Sequence, residues 1–533
     1  MHLTAMLERA ARIDPAKDAL IYREEHLSYG RLLELARRAA TVLVERGLRP
    51  GDRVAVQTFN TPGFVVAAFG VWCAGGVLVP VNHKLAAPET AYAVGHSGAR
   101  LGVVAAELAP LATAATATPA TATGDSGGGA PATPPVRWLT TEAAAPGLEW
   151  FDELVERAEP FTPAPAPDQD AAAQFLYTSG TTGAPKACVH THRTVSAVPP
   201  LIAATLGLTR DDRFLVAMPI WHAAPLNDWF LTMVFLGATT ILQREYAPVA
   251  FLEHVERHRA TAFFGPPVAY TAPTRLAAAG DERADPARHD LSSVRRWLYG
   301  GAPLGADTAR ALMAAYGTDR FTQVYGMSEM GPVGSALHPE EQLAKAGSIG
   351  RRGMPGVDLR VVGDGGRDVD APGTGEIWLR ADTAMTGYHR DPEATAESFT
   401  DGWFHTGDVA RIDEDGYLYV VDRLKDVIIV GGENVHSQEV EEALRGHPRI
   451  ADVAVLGRPH PEWGESVVAV YVSGDGEPVG LDEMRDHLGT RLARYKLPRE
   501  AIRVERLPRN PSGKLTKHVI RAEVGIAPRD GGA

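Results

Sequence analysis

The sequence predicts an α/β fold, with a large N-terminal region of α/β subdomains followed by a smaller α+β domain. Three observations carry this expectation. β-rich runs and helical patterns alternate over residues 1–105 and again up to about residue 419, the rhythm of sheets joined by helical crossovers. Between the two stretches, 105–135 degenerates into Ala, Thr, Pro and Gly, a composition that buries too little surface to offset its ordering entropy and reads as a disordered-like insertion. After Asp422 a shorter pattern of its own begins, long enough for a separate domain.

The elements follow in order. Residues 29–46 carry a helical pattern, and 54–58 and 77–81 are β-rich. Residues 64–81 form the longest uncharged stretch, but Gly70, Gly75, Gly76 and Pro80 interrupt it, so it predicts a buried helix followed by a strand rather than a membrane span. Beyond the insertion, 213–218, 239–242 and 261–264 read as strands; in the last unit 427–430, 453–456 and 467–472 are strand-like and 437–445 and 481–493 helix-like.

Composition narrows the function. The 533 residues carry a net charge of −13 with no long Lys/Arg run, which argues against wrapping nucleic acid or docking on an anionic membrane. Two cysteines, Cys73 and Cys188, stand in no metal-ligand spacing, and the N-terminus shows no apolar stretch with a cleavage site; a cytoplasmic protein without membrane insertion is expected.

The sharpest local signal is Tyr177-Thr178-Ser179-Gly180-Thr181-Thr182-Gly183-Ala184-Pro185-Lys186, following the apolar Phe175-Leu176. Glycines that let backbone N–H groups approach, hydroxyls that donate and a lysine that neutralises suit a polyphosphate on a strand-to-helix turn. The standard NTPase phosphate loop is excluded, because two residues separate the glycines and Ala187 follows Lys186. A plain Ser/Thr/Gly turn is the competing account.

Further motifs follow in a fixed order: Gly300-Gly301-Ala302-Pro303, Tyr325-Gly326-Met327-Ser328-Glu329, Trp403-Phe404-His405-Thr406-Gly407-Asp408, Asp422-Arg423-Leu424-Lys425-Asp426, Gly431-Gly432-Glu433-Asn434 and Pro511-Ser512-Gly513-Lys514. Together they resemble the adenylate-forming superfamily of acyl- and aryl-CoA synthetases, peptide-synthetase adenylation domains and beetle luciferases, over nearly the whole chain. The resemblance implies an ATP- and acid-binding domain over 1–422, a hinge at 423–425 and a mobile C-terminal domain over 426–533. It also implies ATP-dependent conversion of a carboxylic acid to an acyl-adenylate, then transfer to a thiol.

Such chemistry makes one anion attack another, so cations and fixed dipoles must screen charge and align the displacement. By resemblance, Thr178, Ser179, Gly180, Thr181, Thr182, Gly183 and Lys186 hold phosphates. Gly301, Ala302 and Pro303 line one side of adenine and Tyr325 faces the other. Asp408 accepts the ribose hydroxyls and Arg423 adds a donor. Glu329 holds Mg2+, and Ser328, where the family usually has Thr, offers its hydroxyl to the α-phosphate. Lys514 bridges acid and α-phosphate, Lys425 is the hinge, and Gly431 and Gly432 line a pantetheine tunnel. Singly, each admits a plainer reading as a turn acid, surface arginine or core tyrosine.

Which acid is activated stays open. By resemblance, Trp221 and His222 border the acyl pocket, and Asn227, Asp228, Val324, Gly326, Met327 and Val333 are further pocket candidates; a satisfied core histidine is the rival account of His222. Asp228 directly precedes an apolar helix-like run, which suggests an N-cap; turned into the pocket it would instead suit an ammonium. A fatty or aromatic acid with coenzyme A as acceptor is expected. The alternative is a stand-alone enzyme loading a β-amino or unusual fatty acid onto carrier-protein phosphopantetheine, the carrier being a separate protein. A noncatalytic nucleotide-binding regulator is the reading from another class, and luciferase-like oxygen chemistry has no signal here.

Overall fold

In the computed structural model, short runs rich in Val, Leu, Ala and Phe become strands and the amphipathic stretches become helices. The structure describes residues 1–117, 136–162, 168–178, 185–301, 304–363, 365–423, 426–430, 433–460, 463–489, 492, 494–509 and 515–526. These fall into two units: one comprises Met1–Thr178, Pro185–Leu359 and Leu379–Phe404, and the other contains Arg360–Trp378 and the described residues from His405 onward.

The first unit holds two eight-stranded sheets. One runs in the order Ser335–Leu337, Phe321–Tyr325, Arg296–Gly300, Ala262–Gly265, Arg213–Val216, Thr239–Leu242, Asp18–Tyr22, Glu25–Ser28. Its six inner strands are parallel and both edges antiparallel, as expected when helical crossovers cover both faces. Phe251, Phe263, Tyr270, Trp297, Tyr316 and Phe321 pack on one another beneath it, and full burial of each such ring is worth about 1.5–3 kcal/mol.

The second sheet runs Gly387–Tyr388, Lys186–Thr191, Ala172–Thr178, Val77–Pro80, Arg53–Gln57, Leu101–Ala105, Arg137–Thr141, Glu149–Trp150. The uncharged stretch becomes helix Pro62–Cys73, buried at every position from Phe64 to Trp72, followed by strand Val77–Pro80. A helix apolar all round belongs in a core. Its Gly70 is the close approach: a Cβ there would lie 2.6 Å from the Ala39 Cβ of helix Tyr29–Glu45. No described helix is long and apolar enough to cross a membrane.

The smaller unit carries a sheet ordered Glu433–Val435, Ile428–Val430, Gly464–Ser473, Ile450–His460, with Glu500–Arg503 beside Gly464–Ser473. Helices Ser437–Arg445, Leu481–Gly489 and Lys517–Glu523 belong to the same unit.

Two expectations need correcting. The insertion begins too early in the composition-based reading: Ala109–Ala117 is a helix with Ala109, Ala112 and Ala115 buried, and only 118–135 lies outside the described residues. Alanine is the best helix former and needs little room to pack, so low complexity concealed an ordered element. The Gly/Thr loop, moreover, is no strand-to-helix turn. Strands Ala172–Thr178 and Lys186–Thr191 are antiparallel neighbours whose last register pair is Thr178 with Lys186, so the loop joins two strands, and the helix waits until His192.

Candidate active site

In the large unit the residues gather around the loop-flanking pair. Thr178 and Lys186 stand side by side at the strand ends, while Ser179, Gly180, Thr181, Thr182 and Gly183 lie outside the described residues. The Lys186 ammonium is 3.8 Å from an Asp391 carboxylate oxygen and 5.0 Å from the centre of the Tyr388 ring. From the other side the Tyr388 hydroxyl donates to Glu329 Oε1 at 3.2 Å. Burial first, and then the Glu329 charge, push the Tyr388 phenol well up, so it stays a donor. Lysine, tyrosine and glutamate thus form one polar row at the sheet edge. Neither Tyr388 nor Asp391 was anticipated, since Gly387-Tyr388 and the acid beyond carry no local signal that separates them from an ordinary turn.

Glu329 and Ser328 share a short 3-10 turn, Ser328–Met330. It is clamped twice: Met385 N–H donates to the Glu329 carbonyl at 2.8 Å, and His190 Nε2 donates to the Ser328 carbonyl at 2.7 Å. Burial holds the His190 imidazole down to about 4, so at neutral pH it is the neutral, donating ring. Sequence reasoning missed it too. Its stability contribution has a definite sign: the unfolded chain accepts a proton below about 6.5 and the fold refuses it, so stability is full above that pH and falls as pH drops toward 4. Thermal unfolding midpoints across that window should decline, and H190Q, which keeps an amide donor without titrating, should decline less steeply; identical slopes would refute the assignment.

Tyr325 closes strand Phe321–Tyr325 with its ring half-buried. The following loop folds back tightly: a Cβ on Gly326 would lie 1.8 Å from the Pro332 carbonyl oxygen, and one on Gly334 would lie 3.1 Å from the Tyr325 ring. Glycine is therefore required at 326 for space, and the loop fixes the ring. Gly301, at φ +77°, turns the chain off its strand with no atom within 4 Å of where its Cβ would be; Ala302 and Pro303 lie outside the described residues. Val324 and Met327 are half-buried and Val333 is buried.

Trp221 Nε1 donates to His83 Nδ1 at 3.1 Å, and the Trp221 and His222 rings lie 3.8 Å apart. Asn60 pins this segment, accepting from Ile220 N–H at 2.7 Å and donating to the Met218 carbonyl at 3.0 Å. Two further pocket candidates, Asn227 and Asp228, are buried. Asn227 is fully buried, with its amide oxygen accepting from Gln174 at 3.0 Å and its amide N–H donating to the Gly331 carbonyl at 2.9 Å. Its polar atoms tie three segments of the chain together.

Asp228 caps nothing: it sits inside the π-helical segment Ala224–Phe230, and the α-helix Leu231–Leu236 that follows is capped at Phe230. Asp228 is 4% exposed, its Oδ1 has no hydrogen-bond partner among the described residues, and burial pushes its carboxyl well above the usual carboxylate range. Burial therefore favours its protonated form.

In the smaller unit Asp408 and Arg423 face each other across a register pair of the antiparallel strands Trp403–Ile412 and Leu418–Arg423, with Arg423 Nε 2.6 Å from Asp408 Oδ1. Gly407, at φ +68°, sends its N–H to Glu376 Oε1 at 2.8 Å. Lys425, Gly431, Gly432 and Lys514 lie outside the described residues.

The donor set fits a Mg2+-nucleotide. Among the described residues no cluster of three or more His, Cys, Asp or Glu could cage a metal, whereas a single carboxylate, Glu329, oriented by Tyr388 suits an ion that keeps its waters and takes phosphate oxygens. Glu329 would hold that ion, and Lys186 would meet the phosphate charge.

This fold and this arrangement define an adenylate-forming enzyme. The chain belongs to the AMP-binding enzyme family: the family profile matches residues 7–389, and the profile of the AMP-binding enzyme C-terminal domain matches 439–514. It is an AMP-forming acid–thiol ligase, using ATP and Mg2+ to make an acyl-adenylate from a small carboxylic acid, releasing pyrophosphate, and transferring the acyl group to a thiol. It is 38% identical over 522 residues to a feruloyl-CoA synthase from Amycolatopsis sp, covering 97% of this chain and 98% of that one. It is 34% identical over 532 residues to the long-chain-fatty-acid–CoA ligase FadD13 of Mycobacterium tuberculosis, covering 97% of each. Among solved structures, ATP-bound MatB from Rhodopseudomonas palustris aligns with TM-score 0.84 at 30% identity, covering 98% of this chain and 99% of that one.

Proposed function

We propose that this ligase activates an aromatic or fatty acid and that coenzyme A is the acceptor. The observation that carries the reading is the segment behind Trp221 and His222. From Pro225 to Val234 every residue is buried, and burial disfavours the charged form of its one ionisable side chain, Asp228, so the segment offers an acyl group a largely apolar surround. Similarity to a feruloyl-CoA synthase and a long-chain-fatty-acid ligase supports the same class. Lys514 supplies the ammonium where acid and α-phosphate meet, the chain turns at Lys425 within a hinge at 423–425, and the mobile domain 426–533 then brings Gly431 and Gly432 to the thiol. Two unpaired cysteines, Cys73 and the buried Cys188, suit a cytoplasmic setting.

One observation favours a second reading. Asp228 Oδ1 and Thr232 Oγ1, four residues apart, are both buried without partners among the described residues, and a polar group on the acid, such as the ammonium of a β-amino acid, would satisfy them. Such a substrate goes with transfer to a separate carrier protein. Thioester formation with ferulate, indole-3-acetate, dodecanoate and a 3-amino acid, each offered coenzyme A or a phosphopantetheinylated carrier, separates the two. Coenzyme A thioesters of the first three are expected; turnover of the amino acid alone, on the carrier alone, would overturn the first reading.

A further inference from the structure

Lys517 is a buried lysine that the chemistry described so far leaves unused. Its ammonium donates to Glu441 Oε1 at 3.0 Å and to the Ser437 hydroxyl. Ser437 passes the interaction on, its Oγ donating to Asp422 Oδ1 at 3.0 Å and its N–H to Asp422 Oδ2 at 2.5 Å. Glu441 is held from behind by Val455 N–H at 2.9 Å and Arg445 at 3.1 Å. One continuous network therefore links strand Leu418–Arg423, helices Ser437–Arg445 and Lys517–Glu523, and strand Ile450–His460.

Its position in the chain matters. Lys517 opens its helix three residues after Lys514. The chain on either side of 510–514 is tied down separately: Arg509 bridges Leu515, Thr516 N–H donates to the Pro508 carbonyl at 3.0 Å, and Arg509 pairs with Asp452 at 2.7 Å. A buried ion pair is seldom more stabilising than apolar residues of the same size, because desolvation consumes the Coulomb gain; what it provides is a defined orientation. Among the described residues the ammonium of Lys517 is held where Ser437 and Glu441 converge, which anchors the start of its helix.

We propose that Lys517 is a positioning residue for adenylation, holding the exit of the 510–514 segment so that Lys514 reaches the reacting groups. This rests on the reading of Lys514 as the lysine that meets acid and nucleotide. Displacing a charge by about 1 Å costs on the order of 10²-fold in rate, so a loss of this size is the effect to look for.

The test uses the full-length enzyme and whichever of ferulate, indole-3-acetate or dodecanoate drives pyrophosphate exchange fastest, with K517M, K517R and K514A compared. K517M should lower the exchange kcat by about 30-fold or more, by the same displacement argument, while KM for ATP and acid stay within about twofold, as a loss confined to the transition state requires. Thioester formation from the synthetic acyl-adenylate and coenzyme A should survive in K517M, and K517R, which keeps the charge, should recover most of the exchange rate. A merely structural role predicts that both half-reactions fall together with the unfolding midpoint, and that result overturns the proposal. So does wild-type exchange in K517M when K514A is inactive. Undiminished exchange in K514A instead overturns the reading of Lys514. If K517M does not fold, S437A, which removes one acceptor and spares the Glu441 pair, reads the same quantity: a drop in exchange kcat with unchanged KM supports the proposal, and an unchanged kcat refutes it.

Discussion

Replacing Lys514 with alanine is expected to cut acid-dependent pyrophosphate exchange by about 10³-fold or more, the upper range for removing one preorganised group that stabilises developing charge. The physical reason is specific to this reaction. A carboxylate approaching an α-phosphorus meets repulsion that ground-state binding does not relieve, and a cation between the two is worth most when they are closest. The loss should therefore appear in kcat, with KM for ATP nearly unchanged, because the residues proposed to meet the nucleotide, Lys186, Glu329 and Asp408, are left in place. Transfer from a supplied acyl-adenylate to the thiol should persist. Exchange kinetics and single-turnover thioester formation measure the two halves separately; equal rates of exchange in wild type and variant would remove the mechanism assigned here.

Glu329→Gln is expected to reduce adenylation by about 10²-fold and to move the Mg2+ dependence to higher concentration, since an amide keeps the shape but loses the charge that draws a hard cation. The structure adds a control. The Tyr388 hydroxyl donates to Glu329 Oε1 at 3.2 Å, so Tyr388→Phe should remove one of the groups that orient the carboxylate without removing its charge. A smaller loss is expected there, with the same direction of shift in Mg2+ titrations. A Glu329→Gln enzyme with an unaltered Mg2+ titration would show that the ion is held elsewhere.

The family and reaction class were legible because the motifs that carry them are contiguous. The Tyr325 to Glu329 run appears in the structure as a strand end and a 3-10 turn, and Asp408 and Arg423, fifteen residues apart, meet as a register pair. The strand and helix rhythm was legible for the same reason, since hydrophobic periodicity is local. Helix Ala109–Ala117 was not, because alanine and threonine give little periodicity to read. Asp228 shows the limit most clearly. A residue preceding an apolar run looks like an N-cap, yet the backbone continues through it as a π-helix and leaves its carboxyl buried. Tyr388, His190, Asn60 and Lys517 were invisible for another reason: each acts through a partner far away in sequence.

Sequence alone determined the family of the enzyme and the reaction it performs, because the motifs that carry the resemblance are short and their spacing survives without coordinates. Only the tertiary structure decided that the Gly/Thr loop joins antiparallel strands, that Tyr388 and His190 hold the Glu329 turn, that the Asp228 carboxyl is buried and that Lys517 is tied into a buried network. Protonation and orientation depend on desolvation and on neighbours brought together by folding, and neither quantity is written in the local order of residues.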